Sequence, residues 1–284
     1  MRNFTLRKGF LGSKCGTRSS FKGFVMLVVM MLMMASSAMA EVIDGLRYVL
    51  DPVKKTATLL PKMEGKYSGD IIIPEKVKGN DGVEYVVTSL GNECFSYCSG
   101  LTSVNIPSSV TSLSYACFKG CSGLTSVNIP SSVTSLGSGC FEGCSGLTSV
   151  SISSSVTSLG RSCFWNCSGL TSVSIPSSVT SLGDDCFYYC SSLSSITIPS
   201  SVTSLGNSCF SGCSGLTSAT IPSSVTSLGN YCFSDCSGLT SVTIPSSVTS
   251  LGVCCFSSCS GLTSITILLL LLMWVVIASL VVII

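Results

Sequence analysis

Sixteen of the eighteen cysteines fall into eight Cys-Phe-x-x-Cys pairs: Cys94 with Cys98, Cys117 with Cys121, Cys140 with Cys144, Cys163 with Cys167, Cys186 with Cys190, Cys209 with Cys213, Cys232 with Cys236 and Cys255 with Cys259. Thiolates spaced in this way are ligands of zinc or partners in disulfides. Zinc needs four donors converging on one point, whereas pairs repeated at a fixed interval along a stacked chain line up as columns, so no metal ligand is assigned. A rung spacing of ~4.8 Å falls within the Cα separation a disulfide spans, but parallel Cβ vectors strain its torsion. Free cysteine also packs as a small buried hydrophobe, and a ladder of buried thiols is the favoured reading; disulfides in an exported chain are the alternative. Cys254, just before Cys255, occupies a position that varies from pair to pair and is expected to face solvent.

Other catalytic chemistry finds little to work with. The chain has no histidine, which removes Ser-His-Asp and Cys-His nucleophile activation and the usual base near neutral pH. Serine and threonine are abundant but lack a base partner. No catalytic residue and no cofactor is expected, and an enzyme is not the reading. The formal charge of +2 comes from six basic residues before residue 41; from Glu41 onward nine basic residues face thirteen acidic ones. Only Lys119 and Arg161 are basic within the repeats, so a nucleic acid partner is not expected.

The cysteine pairs sit in a longer pattern. From Leu101 the unit LTSVNIPSSVTSLSYACFKGCSG recurs with Leu at 124, 147, 170, 193, 216, 239 and 262, seven full units of 23 residues after a partial unit from Val87 to Gly100. The first unit keeps Leu101, Val104, Ile106, Val110, Leu113, Cys117, Phe118 and Cys121 as its apolar positions. Leu-x-x-Val-x-Ile matches a leucine-rich-repeat frame, in which a short strand alternates inward and outward side chains. Eight inward side chains contribute roughly 12 to 16 kcal/mol, while ordering 23 residues costs at least ~1 kcal/mol each, so one unit cannot fold alone and must stack. The expected fold is a β-rich, right-handed parallel solenoid of the α/β horseshoe class. It has strands at Ser103 to Ile106, a second extended piece near Val110 to Leu113 and a short helical turn around Cys117 to Cys121.

Residues 41–93 differ in composition, being charged and carrying Tyr48, Tyr67 and Tyr85; they read as a cap on the first rung, with 94–266 as the solenoid. Ile73-Pro74 already mimics the Ile-Pro of the repeat, which suggests a modified rung with an insertion. Across about residues 43–266, the units SGLTSVTIPSSVTSLG followed by a small residue and Phe, together with YSGDIIIP from Tyr67 to Pro74, resemble the BspA-like leucine-rich-repeat family. The resemblance implies an exported surface protein that attaches to matrix proteins or to other cells. Cysteine before Phe, where Ala is commoner, and an apolar tail depart from that pattern.

At the N-terminus a basic stretch, an apolar run from Phe24 to Met34 and Ala38-Met39-Ala40 read as a signal peptide at 1–40; a start at Met26 or retention as an anchor are alternatives. Ile267 to Ile284 is uncharged and as a helix would reach ~27 Å, which makes 267–284 a candidate membrane anchor, with an accidental frame end as the alternative. The chain is therefore expected to be secreted or at the cell surface. Its expected role is to present a repetitive solenoid face to a protein or glycan partner on a host or neighbouring cell or in the extracellular matrix. A structural scaffold without a specific ligand is the alternative. Positions flanking Cys-Phe vary between units, and stacking should gather Trp165, Tyr188, Tyr189, Arg161, Asp184 and Asp185 there as ligand-binding candidates. Drift at tolerant solvent positions would produce the same variation. Asn166-Cys167-Ser168 formally matches a glycosylation sequon, although a buried Cys167 argues against its use.

Overall fold

The computed structural model describes residues 40–268, so the leader up to Met39 and the tail beyond Leu268 lie outside the described residues. Each rung begins with a short strand, Leu101–Asn105 in the first full unit, which stops before Pro107 because proline cannot donate to a ladder. A two-residue strand, Ser112–Leu113, follows. Equivalent strands pair in parallel one unit apart without a register shift: Ser126 opposes Ser149, which opposes Ser172, while Ser112 opposes Ser135, which opposes Ser158. The first set makes a sheet of seven strands running to Ser264–Ile267. The second continues through bridges at Leu159, Leu182 and Leu205.

The period dictates the core. Leu101, Val104, Ile106, Val110, Leu113, Cys117, Phe118 and Cys121 are all buried, and so are their equivalents through most of the stack. Their most regular feature is a column of phenylalanines from Phe95 to Phe256, with neighbouring ring centroids 5.2–5.5 Å apart and planes within 16° of parallel. Tyr67 extends the column at its N-terminal end, 5.2 Å from Phe95 and tilted by 56°. Outside the strands, the second serine of Pro-Ser-Ser donates to the valine carbonyl of the preceding rung: Ser132 to Val110 at 2.5 Å and Ser178 to Val156 at 2.5 Å. In the unit with Ser153 in place of proline, the Ser155 hydroxyl instead accepts from Ser153 Oγ at 3.4 Å.

The helical turn expected at Cys117 to Cys121 is not formed, and the described residues contain no helix. The backbone shows why. Ala116 and Gly120 have φ of 51° and 70°, a left-handed conformation that interrupts any right-handed run. Within the segment, Lys119 N–H bonds Ala116 O and Cys121 N–H bonds Phe118 O. The intervening amides point along the stack: Ala116, Phe118 and Gly120 donate to Ser138, Cys140 and Glu142 of the next rung, at 2.9, 2.8 and 2.6 Å. The corner is thus a third inter-rung ladder built from turns.

Ahead of the repeats, β1 (Glu41–Ile43), β2 (Leu46–Asp51) and β3 (Thr56–Leu60) form an antiparallel meander. They are followed by β4 (Gly69–Ile72), β5 (Lys76–Lys78) and β6 (Glu84–Leu90). Strand β4 lies parallel to Leu101–Asn105, and Asp70 accepts hydrogen bonds from Thr102 and Ser103 at 2.7 and 2.6 Å. Strand β6 pairs with β3 and reaches Leu113 through Leu90, while Tyr48, Tyr67 and Tyr85 are buried.

Candidate functional site

The cysteines do not form a reactive or metal-binding centre among the described residues: all seventeen there are free thiols, and no group of three or more His, Cys, Asp or Glu side chains converges. Sixteen are buried and Cys254 alone is partly exposed. The second cysteine of a pair donates to a phenylalanine carbonyl of the previous rung, as Cys121 does to Phe95 and Cys144 to Phe118, both at 3.0 Å. Burial pushes the thiols of Cys117, Cys140 and Cys163 well above the ordinary range, whereas Cys259 in the last rung rises only to about 11.

The turn corner carries every charge of the full repeats, namely Lys119, Glu142, Arg161, Asp184, Asp185 and Asp235, and every aromatic outside the phenylalanine column. Two columns there are left-handed throughout. Glu93, Ala116, Gly139, Ser162, Asp185, Ser208, Tyr231 and Cys254, each just before a Cys-Phe, have φ of 50–63°. Tyr97, Gly120, Gly143, Asn166, Tyr189, Gly212, Asp235 and Ser258 have φ of 53–73°. None of the sixteen is β-branched, although threonine abounds elsewhere, as a left-handed backbone requires. This constraint was present in the sequence and was missed: the positions vary, but within a restricted set of residues.

The expected candidates do come together. Trp165 and Tyr188 meet edge to face with centroids 5.2 Å apart, and Tyr188 meets Tyr189 in the same manner at 4.5 Å. Arg161 donates through Nε and Nη2 to Asp185 Oδ2 at 3.3 and 3.2 Å. Trp165, Tyr189 and Arg161 are exposed. Tyr188 is half-buried between its neighbours, and its hydroxyl is shifted upward by burial first and then by Tyr189. Asp184 is occupied differently: its Oδ1 accepts from the backbone and side chain of Asn207, at 2.7 and 3.3 Å. Asn207 and Asn230 serve the amides of Asn230 and Val253 in the same way, so this column stitches rungs together.

A second aromatic group, at variable positions flanking Cys-Phe but outside the expected candidates, lies at the N-terminal end of the same corner. Tyr97 and Tyr115 are exposed, and Lys119 pairs with Glu142 at 2.9 Å, which raises the lysine's pKa. Tyr97 and Tyr189 share one setting. A Cβ on Gly120 would come 2.6 Å from Tyr97 Cδ1, and one on Gly212 would come 2.8 Å from Tyr189 Cδ1, so each ring lies against the glycine of the next rung.

Parallel ladders, a 23-residue period and a single continuous core define a leucine-rich-repeat β-solenoid. The model of the BspA type leucine rich repeat region matches residues 83–194 and 180–269 in six copies, and the chain belongs to that family. It is similar to the solved structure of a leucine-rich repeat protein from Bacteroides ovatus, at 25% identity over 81% of this chain and 71% of that one, with a TM-score of 0.54. A leucine rich cell surface protein from Faecalibacterium prausnitzii is similar at 26% identity over 80% and 76%, with a TM-score of 0.55. A T. pallidum leucine rich repeat protein shares the fold at 23% identity over 77% and 88%, with a TM-score of 0.53. No curated protein matches the chain. No helix among the described residues is long and apolar enough to cross a membrane.

Proposed function

We propose that this chain is an exported, non-catalytic surface protein that binds a protein or glycan partner on another cell or in the extracellular matrix through its turn corner. One observation carries the reading: the two strand faces repeat uncharged Ser, Thr and Asn, whereas the corner gathers the charges and exposed aromatics of the full repeats. Trp, Tyr and Arg dominate binding hot spots because they bury large area at low entropic cost. The name of the Faecalibacterium protein, a cell surface protein, supports the location, as do the apolar segment at Phe24 to Met34 and the A-x-A pattern at Ala38 to Ala40.

Protease treatment of intact expressing cells is expected to degrade the protein while a cytoplasmic marker survives; full-length chain confined to the soluble cytoplasm would overturn the export reading. Binding of the purified chain to cells or matrix is expected to fall about tenfold or more in the double variant Trp165→Ala and Tyr189→Ala, the loss of one strong hot spot. The uniform, uncharged strand faces favour a second reading, a structural scaffold. Ordered arrays that form without a ligand and survive the double substitution would favour it.

A further inference from the structure

Resting on that reading of the corner as a binding face, we infer that its ligand is a neutral, linear polysaccharide laid along the solenoid axis and stacked on Tyr97 and Tyr189. The two tyrosines occupy the same left-handed column four rungs apart, a separation of ~19 Å at the usual strand spacing. Each ring lies against a glycine of the next rung, and 59% of Tyr97 and 48% of Tyr189 is exposed; Tyr97 also has the Lys66 and Lys119 ammoniums within 6.0 Å of its centroid, and Tyr189 meets Tyr188 edge to face. Between them the column carries Gly143, whose nearest neighbour beyond its own chain segment is the backbone of Gly120, and then the exposed amide of Asn166. The column thus carries a partly exposed aromatic ring at each end with small or amide side chains between them, and Trp165 lies beside the Tyr189 end.

The chemistry of this column selects among ligands. A peptide added as a strand needs free backbone donors, but here the amides of Ala116, Phe118 and Gly120 and their equivalents are bonded to the next rung. A folded protein partner needs a broad apolar core, and the aromatic strip is one or two side chains wide. Lys119 is paired with Glu142 and Arg161 with Asp185, and other charges, Lys66 bonded to the Ser96 carbonyl beside Tyr97 and Asp184 and Asp235 further along, are of mixed sign, so no run of one sign follows the column to attract a polyanion or polycation. What remains is two exposed tyrosine rings four rungs apart, bordered by an amide and by ion-paired groups able to exchange hydrogen bonds with hydroxyls. A sugar chain offers the complement, with apolar C–H faces repeating along its axis and hydroxyls at its edges.

Affinity electrophoresis of the full-length chain through gels containing neutral polysaccharides (xylan, mannan, mixed-linkage β-glucan) or anionic ones (heparin, hyaluronan) tests the inference. Retardation by at least one neutral polymer is expected. It should weaken at least fivefold in Tyr97→Ala and again in Tyr189→Ala, persist in Tyr97→Phe and Tyr189→Phe, and be competed by octasaccharides better than by disaccharides. Circular dichroism melting of each variant separates lost binding from lost fold. Failure of all three neutral polymers, retardation by the anionic polymers alone, or retardation unchanged in the double alanine variant would overturn the inference. The underlying reading fails separately. If Trp165→Ala with Tyr189→Ala abolishes attachment to cells that glycosidases have stripped of glycans, the corner binds something other than sugar; if attachment ignores those substitutions, the corner is not the binding face.

Discussion

A buried thiol differs from an exposed one mainly in the cost of ionising it. Interior thiols such as Cys117, Cys163 and Cys209 are pushed upward by desolvation, so the native state keeps protons that the unfolded chain releases near pH 8.5. Folded pKa values lie above unfolded ones; the stabilisation is therefore complete below about pH 8 and is lost as pH rises, by about 1.4 kcal/mol per pH unit for each thiol ionised only in the unfolded state. Melting under reductant from pH 7 to 10 is expected to show a steep fall in Tm, and a flat profile would mean that the thiols are not buried. Alkylation of the native protein at pH 8 should label Cys254 quickly, then Cys259 at the last rung, and leave the interior pairs intact until the chain unfolds. At the left-handed position of Ala116, a β-branched side chain is poorly tolerated: Ala116→Val is expected to destabilise by about 1–3 kcal/mol, while Ala116→Gly is neutral or stabilising, as urea unfolding would show.

At the scale of the rung, most elements could be read directly. Strand positions, inward residues and the second extended piece follow from a two-residue alternation repeated every 23 residues. The corner did not, because its apolar spacing, Cys-Phe-x-x-Cys, suits a helical turn as well as this one. Only the exclusion of β-branched residues at the flanking positions betrayed a left-handed backbone. The aromatic candidates around Trp165 could be placed because stacking aligns adjacent units, whereas Asp184's engagement with Asn207 depends on a side-chain direction that spacing does not determine. Two substitutions probe the rung itself. Ser153→Pro restores the residue found in the other units at a position whose N–H has no partner among the described bonds. It should raise stability by about 0.5–1 kcal/mol and return the Ser155 hydroxyl to the preceding rung. Gly160→Ala should do the reverse, at a cost of about 2 kcal/mol, since its Cβ would sit 2.7 Å from Ser138 N and 2.8 Å from Gly137 C, backbone atoms that cannot move aside.

Across the described stack, stability accumulates by nearest neighbours, so the repeat rather than the chain is the unit of folding. Excising Leu216–Gly238 joins Gly215 to Leu239 in the same frame; the shortened protein is expected to keep its circular dichroism spectrum and a cooperative, lower melt. Removing half a unit should abolish both. The same sameness leaves the rungs poorly distinguishable from one another. A strand such as Ser149–Ser151 finds an almost identical partner one unit too far along, so slipping the alignment by a whole period sacrifices little in any single contact. Contacts that occur once break the degeneracy, and those that tie the stack to its N-terminal end are Tyr67 against Phe95 and Asp70 against Thr102 and Ser103. Those few side chains act as the zero mark of a ruler. A chain with Tyr67→Ala and Asp70→Ala should regain secondary structure at a normal rate on dilution from urea, yet settle into a mixture of frame-shifted species that exchange only by unfolding.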